Sequence, residues 1–168
     1  MHTAHIVLVR ADDHEDAIST VQNELFEPDY NWCEWSDWAV VVDGRYRLSN
    51  FFEPNTYTGV SEYAVSYDTE RVLFDKVLGH FMEVRRTEFN RILDRLELAG
   101  KGSLGDYDLE MLDTHHAYDL LGFAQLVTGS YTYDSYVYDL NNQTANLSVF
   151  RSIPDKSDWF AVLVDFHF

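Results

Sequence analysis

Cysteine, lysine and long apolar runs are scarce in this chain of 168 residues. Its single cysteine, Cys33, excludes an internal disulfide and any zinc site built on several thiolates. No stretch approaches the ~20 apolar residues that cross a bilayer. The opening residues MHTAHIVLVRADD lack the basic start and the small-residue cleavage site of a signal peptide. These absences predict a cytoplasmic protein that does not enter a membrane.

Positive charge is also scarce: the chain contains 12 Lys and Arg residues and 29 Asp and Glu residues, which gives a formal net charge of -17. Nucleic acids are bound through Lys and Arg, so direct nucleic-acid binding is disfavoured over most of the surface. Half of the basic residues fall within residues 69–98. The acidity has two interpretations: an adaptation for solubility or salt, or a functional surface that engages a basic partner or imitates nucleic acid.

The first half of the chain reads as a strand, a helix and a hairpin. Residues 5–11 are a β-branched apolar run, and a helix capped by Asp12 or Asp13 follows it, with apolar residues at helical spacing up to Leu25. Asp-Gly at 43–44 predicts a hairpin turn. Its strands are expected at 38–42 and 45–48, with an irregular loop over 49–68.

The second half is dominated by a long amphipathic helix over about 69–98, which Gly79 and His80 could divide into two. A shorter helix is expected at about 107–121. Three β segments follow: the tyrosine-rich residues 131–138, the segment TANLSVFRSI and the final run from Trp159 to Phe168. The pattern predicts one α+β domain over 1–168, with an antiparallel or mixed sheet of about five strands and the long helix on one face.

Two segments of the sequence echo each other: SDWAVVVD at 36–43 and SDWFAVLVD at 157–165. Their flanks differ, which disfavours an internal repeat. We interpret them as two central strands of one sheet, each with its Trp and its trailing Asp at the sheet rim.

Three further segments carry a resemblance: ADDHEDAISTVQNEL after the first strand, W-S-D-W-x-V-V leading to DGRY, and the terminal WFAVLVDFH. Together they resemble a group of small tailed-phage proteins with a β-α start, a DW-x-x-x-GGRW-like hairpin and an apolar last strand. The chain departs from that pattern at Asp43 and Tyr46. The resemblance implies a phage or prophage origin, hence a location in an infected or lysogenic host cell, and a small α+β domain. The resemblance assigns no catalytic role to any residue of this chain.

Aromatic residues beside acids are the preferred binding candidates: Trp32, Trp35, Asp37, Tyr131 and Tyr133. Exposed tyrosine and tryptophan make good protein-binding surfaces, although such residues also cover the edges of cores.

The basic residues of the long helix offer a second candidate. Arg85 and Arg86 could receive a phosphate or a nucleotide by forked hydrogen bonds, or pair with acids of the same helix.

Two carboxylate–imidazole groups are the candidates for chemistry. Asp165 and His167 lie two apart on a strand and share a face, which Asp43 joins if the echoing strands are neighbours. Such a set could hold a metal or act as acid and base, or form a solvated polar face. His115 and Asp119, at i and i+4, could share a metal.

Three functional hypotheses remain open. The preferred one is an accessory protein, without catalysis or cofactor, that binds a macromolecule with a basic surface. In one specific version of this hypothesis, the protein antagonises a host defence complex. The second is a small-ligand or nucleotide-binding protein, or a hydrolase with a carboxylate/His site. The third is an oligomeric structural or assembly protein.

Overall fold

A single mixed sheet organises the protein. The computed structural model describes residues 2–26, 38–53, 57, 59–100, 123–124, 127–128 and 135–167. In chain order these form β1 (His2–Arg10), α1 (His14–Phe26), β2 (Trp38–Val40), a 3-10 helix (Leu48–Asn50), β3 (Ala64–Ser66), α2 (Arg71–Gly100), β4 (Val137–Asp139), α3 (Ser148–Ser152) and β5 (Trp159–His167). A five-stranded mixed sheet with a long helix packed against it confirms the predicted fold class.

Strand β5 is the centre of the sheet, whose order is β2-β5-β1-β4. It runs antiparallel to β1 along its whole length, from His2↔His167 to Arg10↔Trp159. On its other side, β2 pairs with one end of β5 and β3 with the other end, both antiparallel. Strand β4 lies parallel to β1 at the far edge. Because β5 has neighbours on both sides and helices on both faces, its sequence is an almost continuous apolar run.

The two faces of the sheet have separate cores. On one face, alternate residues of β1 and β5 pack with α1; this core includes Val7, Val9, Ala17, Val21, Val162 and Val164. On the other face, the remaining alternate residues pack with α2 and α3; this core includes Ile6, Leu8, Phe74, Phe81, Phe150 and Leu163. The period-2 alternation of strands therefore places the two helical layers on opposite sides of the sheet.

The helix ends follow local rules. The Asp13 carboxylate accepts the backbone N–H of Asp16 at 2.9 Å, and the Asp16 carboxylate accepts that of Asp12 at 3.0 Å, which caps α1 as expected. Helix α2 continues through Gly79 and His80 as one helix. In the described ranges no helix is long and apolar enough to cross a membrane.

The predicted hairpin at residues 43–44 is wrong. Asp43 does adopt a positive φ of 65°, as the Asp-Gly pair requires. However, Gly44 does not adopt the positive φ that a type I′ turn needs at its second position. The backbone N–H of Arg45 donates to the Asp165 carboxylate at 2.6 Å, and residues 45–48 form no strand. They lead into the 3-10 helix, and the expected loop over 49–68 contains the end of that helix and β3.

The segment TANLSVFRSI is likewise not a strand, because residues 148–152 form α3. Side chains of Thr144 and Asn146 accept the backbone N–H groups of residues 146 and 148, both at 3.0 Å. These local bonds turn the chain into a helix. Phe150 then packs edge-on against Trp159, at 5.0 Å between ring centroids. Of the predicted strand 131–138, the described part forms β4 from Val137 onward, and the helix at 107–121 lies outside the described residues.

The echoing segments do lie in one sheet and are neighbours, with Val40 opposite Asp165. Two details of that prediction are wrong. Strand β2 is a three-residue edge strand rather than a central one. In the second segment, Trp159 and Asp165 are 1% and 2% exposed, so they lie in the interior instead of at the rim.

Candidate functional site

Asp165 forms a buried carboxylate–imidazole pair with His2, the first described residue of β1. The two carboxylate oxygens lie 3.1 and 3.2 Å from Nδ1 of His2. A carboxylate only accepts hydrogen bonds, so this contact places the imidazole proton on Nδ1 and directs Nε2 away from Asp165. The His167 ring packs edge-on against the His2 ring, at 5.0 Å between centroids.

The turn after β2 closes over this pair. Besides the bond from Arg45, the Tyr46 hydroxyl donates to the backbone oxygen of His2 at 3.1 Å. A Cβ on Gly44 would lie only 2.8 Å from Cβ of Asp165, so only glycine lets the turn approach this closely. The Asp165 carboxylate is thus enclosed by protein, and its donors come from β1 and from the turn. Its evident effect is to fix the turn to the sheet.

The structure gathers part of the predicted acid–base group. Asp165 lies on the same face as His167, as expected for residues two apart on a strand. Asp43, by contrast, is exposed on the turn, where the backbone of Arg45 reaches Asp165 in its place. Sequence reasoning missed His2, since its partner is 163 residues away and only the β1–β5 register brings the two together.

A second carboxylate with several donors was also missed. Glu70 precedes α2, and its oxygens accept the backbone N–H groups of Val60 at 2.8 Å and Ser66 at 3.0 Å. Its Oε2 lies 2.6 Å from Nε2 of His14, at the start of α1. Glu70 therefore links the two helical layers past the end of the sheet. In the residues that the structure describes, no three His, Cys, Asp or Glu side chains are grouped so as to hold a metal.

No family model matches the chain, and no curated protein or solved structure is significantly similar to it. The likeness to tailed-phage proteins therefore stays a prediction. The aromatic binding candidates Trp32, Trp35, Tyr131 and Tyr133, with Asp37, lie outside the described residues, as do His115 and Asp119.

Arg85 and Arg86 of α2 line a cavity of about 330 Å³, together with Met82, Phe89 and Val127. Nη1 of Arg85 donates to the backbone oxygen of Ala145 at 2.6 Å. Burial lowers the pKa of Arg85, and the nearby positive charge of Arg151 lowers it further. The neighbouring Arg86 instead forms an exposed ion pair with Glu83, at 3.0 Å.

Acidic side chains gather where α1 begins. The backbone N–H of Ala11 donates to the backbone oxygen of Asp158 at 2.9 Å, which brings the loop before β5 beside the start of α1. We call this surface the acidic end; it comprises Asp12, Asp13, Glu15, Asp16, Asp155 and Asp158. The Arg10 guanidinium bonds to the Asp158 carboxylate at 2.6 Å, while the Lys156 ammonium is directed to the Tyr67 and Phe150 rings. The acidic end therefore keeps an excess of negative charge.

Proposed function

We propose that this is a phage- or prophage-encoded accessory protein that acts by binding a macromolecule of the host or of the phage. The observation that carries the proposal is the acidic end, where Asp12, Asp16 and Asp158 line one surface depression with Arg10, and where the charge of Asp155 also interacts with that of Arg10. The net charge of -17 and the resemblance to small phage proteins support it. The expected partner has a basic surface, because opposite potentials speed the encounter and fix the orientation of a complex.

Carboxylates are used in two different ways in this protein, and the difference favours binding over catalysis. Asp165 and Glu70 are largely enclosed, and their oxygens accept hydrogen bonds that connect strands, turns and helices. Asp139 is buried as well, and Asn142 donates to both of its oxygens, at 3.0 and 2.8 Å. A catalytic carboxylate must reach a substrate. The exposed carboxylates, such as those of the acidic end, instead set the electrostatic potential of the surface.

A partner that normally binds nucleic acid fits this surface best. Such a protein presents Lys and Arg to a row of phosphates, and a group of carboxylates can occupy the same positions. The accessory protein would then block a host defence complex or a complex that handles nucleic acid. This form of the proposal predicts competition between the protein and DNA or RNA for the same partner.

The test is capture from bacterial lysate at increasing salt, with the retained proteins identified by mass spectrometry. We expect the wild type to retain a defined nucleic-acid-binding protein near 0.1 M salt, to release it as salt rises, and to lose it when DNA is added. The variant Asp12→Asn/Glu15→Gln/Asp155→Asn should lose the partner. It spares Asp13 and Asp16, whose carboxylates cap α1.

The matched control is Asp43→Asn/Asp68→Asn/Asp94→Asn, which also removes three negative charges, but from exposed sites elsewhere on the protein. If the control loses the partner as fully as the acidic-end variant, the attraction reflects net charge alone and the proposed surface is wrong. Light scattering on the same samples addresses the assembly hypothesis: the proposal expects a mass near 19.6 kDa, that of a monomer.

A further inference from the structure

Arg85 differs from three of the four other arginines of α2 in its charged surroundings. Three of them pair with acids of the same helix: Arg71 with Asp75, Arg86 with Glu83 and Arg91 with Glu88. Within the described ranges Arg85 forms no such pair, and its side chain donates only to the backbone oxygen of Ala145. Burial lowers the pKa of Arg85, and the positive charge of Arg151 on α3 lowers it further.

This arrangement is energetically unfavourable, and it is unexpected in a chain whose 29 acidic residues far outnumber its 12 basic ones. Two guanidinium groups near one another repel, and the half-burial of Arg85 raises the cost because it removes water from the charge. Residues 140–151, which bring both Ala145 and Arg151 to Arg85, include no acidic residue. A bound anion would offset both the repulsion and the lost hydration.

The cavity beside Arg85 has apolar walls as well as charge. Met82, Phe89 and Val127 line it with Arg85 and Arg86, and its volume of about 330 Å³ lies at the lower end for small-ligand sites. The Phe89 ring stacks on that of Phe123, with 5.5 Å between centroids and 23° between planes, which holds Phe89 in a defined orientation. The cavity therefore offers cations beside an ordered aromatic ring.

We propose that this cavity binds a nucleoside monophosphate, with the phosphate at Arg85 and the base against Phe89 and Met82. Guanidinium groups form forked hydrogen bonds with phosphate oxygens, and Arg85 and Arg86 both line the cavity. The apolar walls favour a ligand with a ring over inorganic phosphate. The overall charge of -17 repels a polynucleotide but costs a single phosphate far less, since local charges outweigh screened distant ones.

Isothermal titration calorimetry with AMP, GMP, CMP and UMP tests this site. We expect at least one of them to bind saturably below about 1 mM, which is ordinary for a small ligand. Adenosine, inorganic phosphate and a single-stranded octanucleotide should each bind at least tenfold more weakly per site. Arg85→Met and the surface variant Arg86→Gln should each weaken binding about tenfold, while Arg85→Lys should restore only part of it. Phe89→Leu should weaken nucleotide binding but not the weak binding of inorganic phosphate.

The control is Lys76→Gln, which removes one exposed positive charge from the same helix and should leave binding unchanged. Arg86→Gln guards against misfolding of the Arg85 variants, because Arg86 lines the cavity and is exposed. Absence of saturable binding by all four nucleotides at 5 mM overturns the proposal. So does equal loss in the Lys76 and Arg86 variants, or adenosine binding as tightly as AMP.

Discussion

His5 makes the stability of this protein depend on pH. Its side chain is fully buried between the rings of Tyr136, at 5.0 Å, and Phe166, at 4.8 Å between centroids. Desolvation by burial lowers the pKa of His5 to about 3, because the charged imidazolium is disfavoured away from water. In the unfolded chain the pKa is about 6.5.

The sign and size follow from these two values. Between pH 6.5 and 3 the unfolded chain binds a proton at His5 that the folded chain does not bind, so the free energy of unfolding falls as the pH falls. The full contribution is present above pH 6.5. From pH 7.5 to pH 5 the loss is about 2 kcal/mol, at up to 1.4 kcal/mol per pH unit. That is a large part of the 5–15 kcal/mol typical of folded domains.

Urea unfolding at pH 5, 6, 6.5 and 7.5 measures this dependence. We expect His5→Gln to lower stability at pH 7.5 but to lose about 2 kcal/mol less than the wild type on acidification to pH 5. His80→Gln removes an exposed imidazole and should keep the wild-type slope. The comparison of slopes cancels the effect of the net charge, which both variants share. If His5→Gln and the wild type lose the same free energy between pH 7.5 and 5, the imidazole of His5 is not kept neutral by burial and the reasoning fails.

Three further predictions concern single side chains, each measured by urea unfolding at pH 7.5. Gly44→Ala should lower the free energy of unfolding by about 1–3 kcal/mol, because the added Cβ meets Asp165. Gly79→Ala, with open space around it in mid-helix, should raise that free energy by about 1 kcal/mol. Equal effects would contradict the close approach of the turn. Asp165→Ala should cost about 1–3 kcal/mol, since two partly buried hydrogen bonds lose their acceptor, and a cost below 0.5 kcal/mol would show that the turn is not held there. Asp13→Ala should cost about 1 kcal/mol through the lost cap, while Asp12→Ala keeps the cap and should stay within 0.5 kcal/mol; the reverse order would place the helix start elsewhere.

Local sequence signals predicted the elements that depend on near neighbours. The cap at Asp13 and the apolar spacing of α1 depend only on residues a few positions apart. The same holds for the apolar stripe of α2, a helix whose ends differ from the prediction by two residues. The apolar run of β5 similarly predicts a strand buried on both faces.

The errors occur where a distant partner decides the local structure. Asp43 takes a positive φ, as in a hairpin turn, yet the backbone N–H of Arg45 donates to Asp165, 120 residues away, and residues 45–48 form no strand. Strand β3 has only three residues and exists because β5 offers it an edge. The same limit hid the site: the pairing of His2 with Asp165, and the hydrogen bond of Arg85 to the backbone oxygen of Ala145, are contacts between segments far apart in sequence.

The two proposed sites depend on local rather than total charge, and this makes them separable. The acidic end lies at the start of α1, which packs on one face of the sheet, whereas Arg85 belongs to α2 on the opposite face. At 0.15 M salt the Debye length is about 8 Å, so surface charges on one side are largely screened from the other. The acidic-end variant should therefore lose the macromolecular partner and keep nucleotide binding, while Arg85→Met should do the reverse. Loss of both activities in either variant would mean that one contiguous surface, or the fold itself, had been altered.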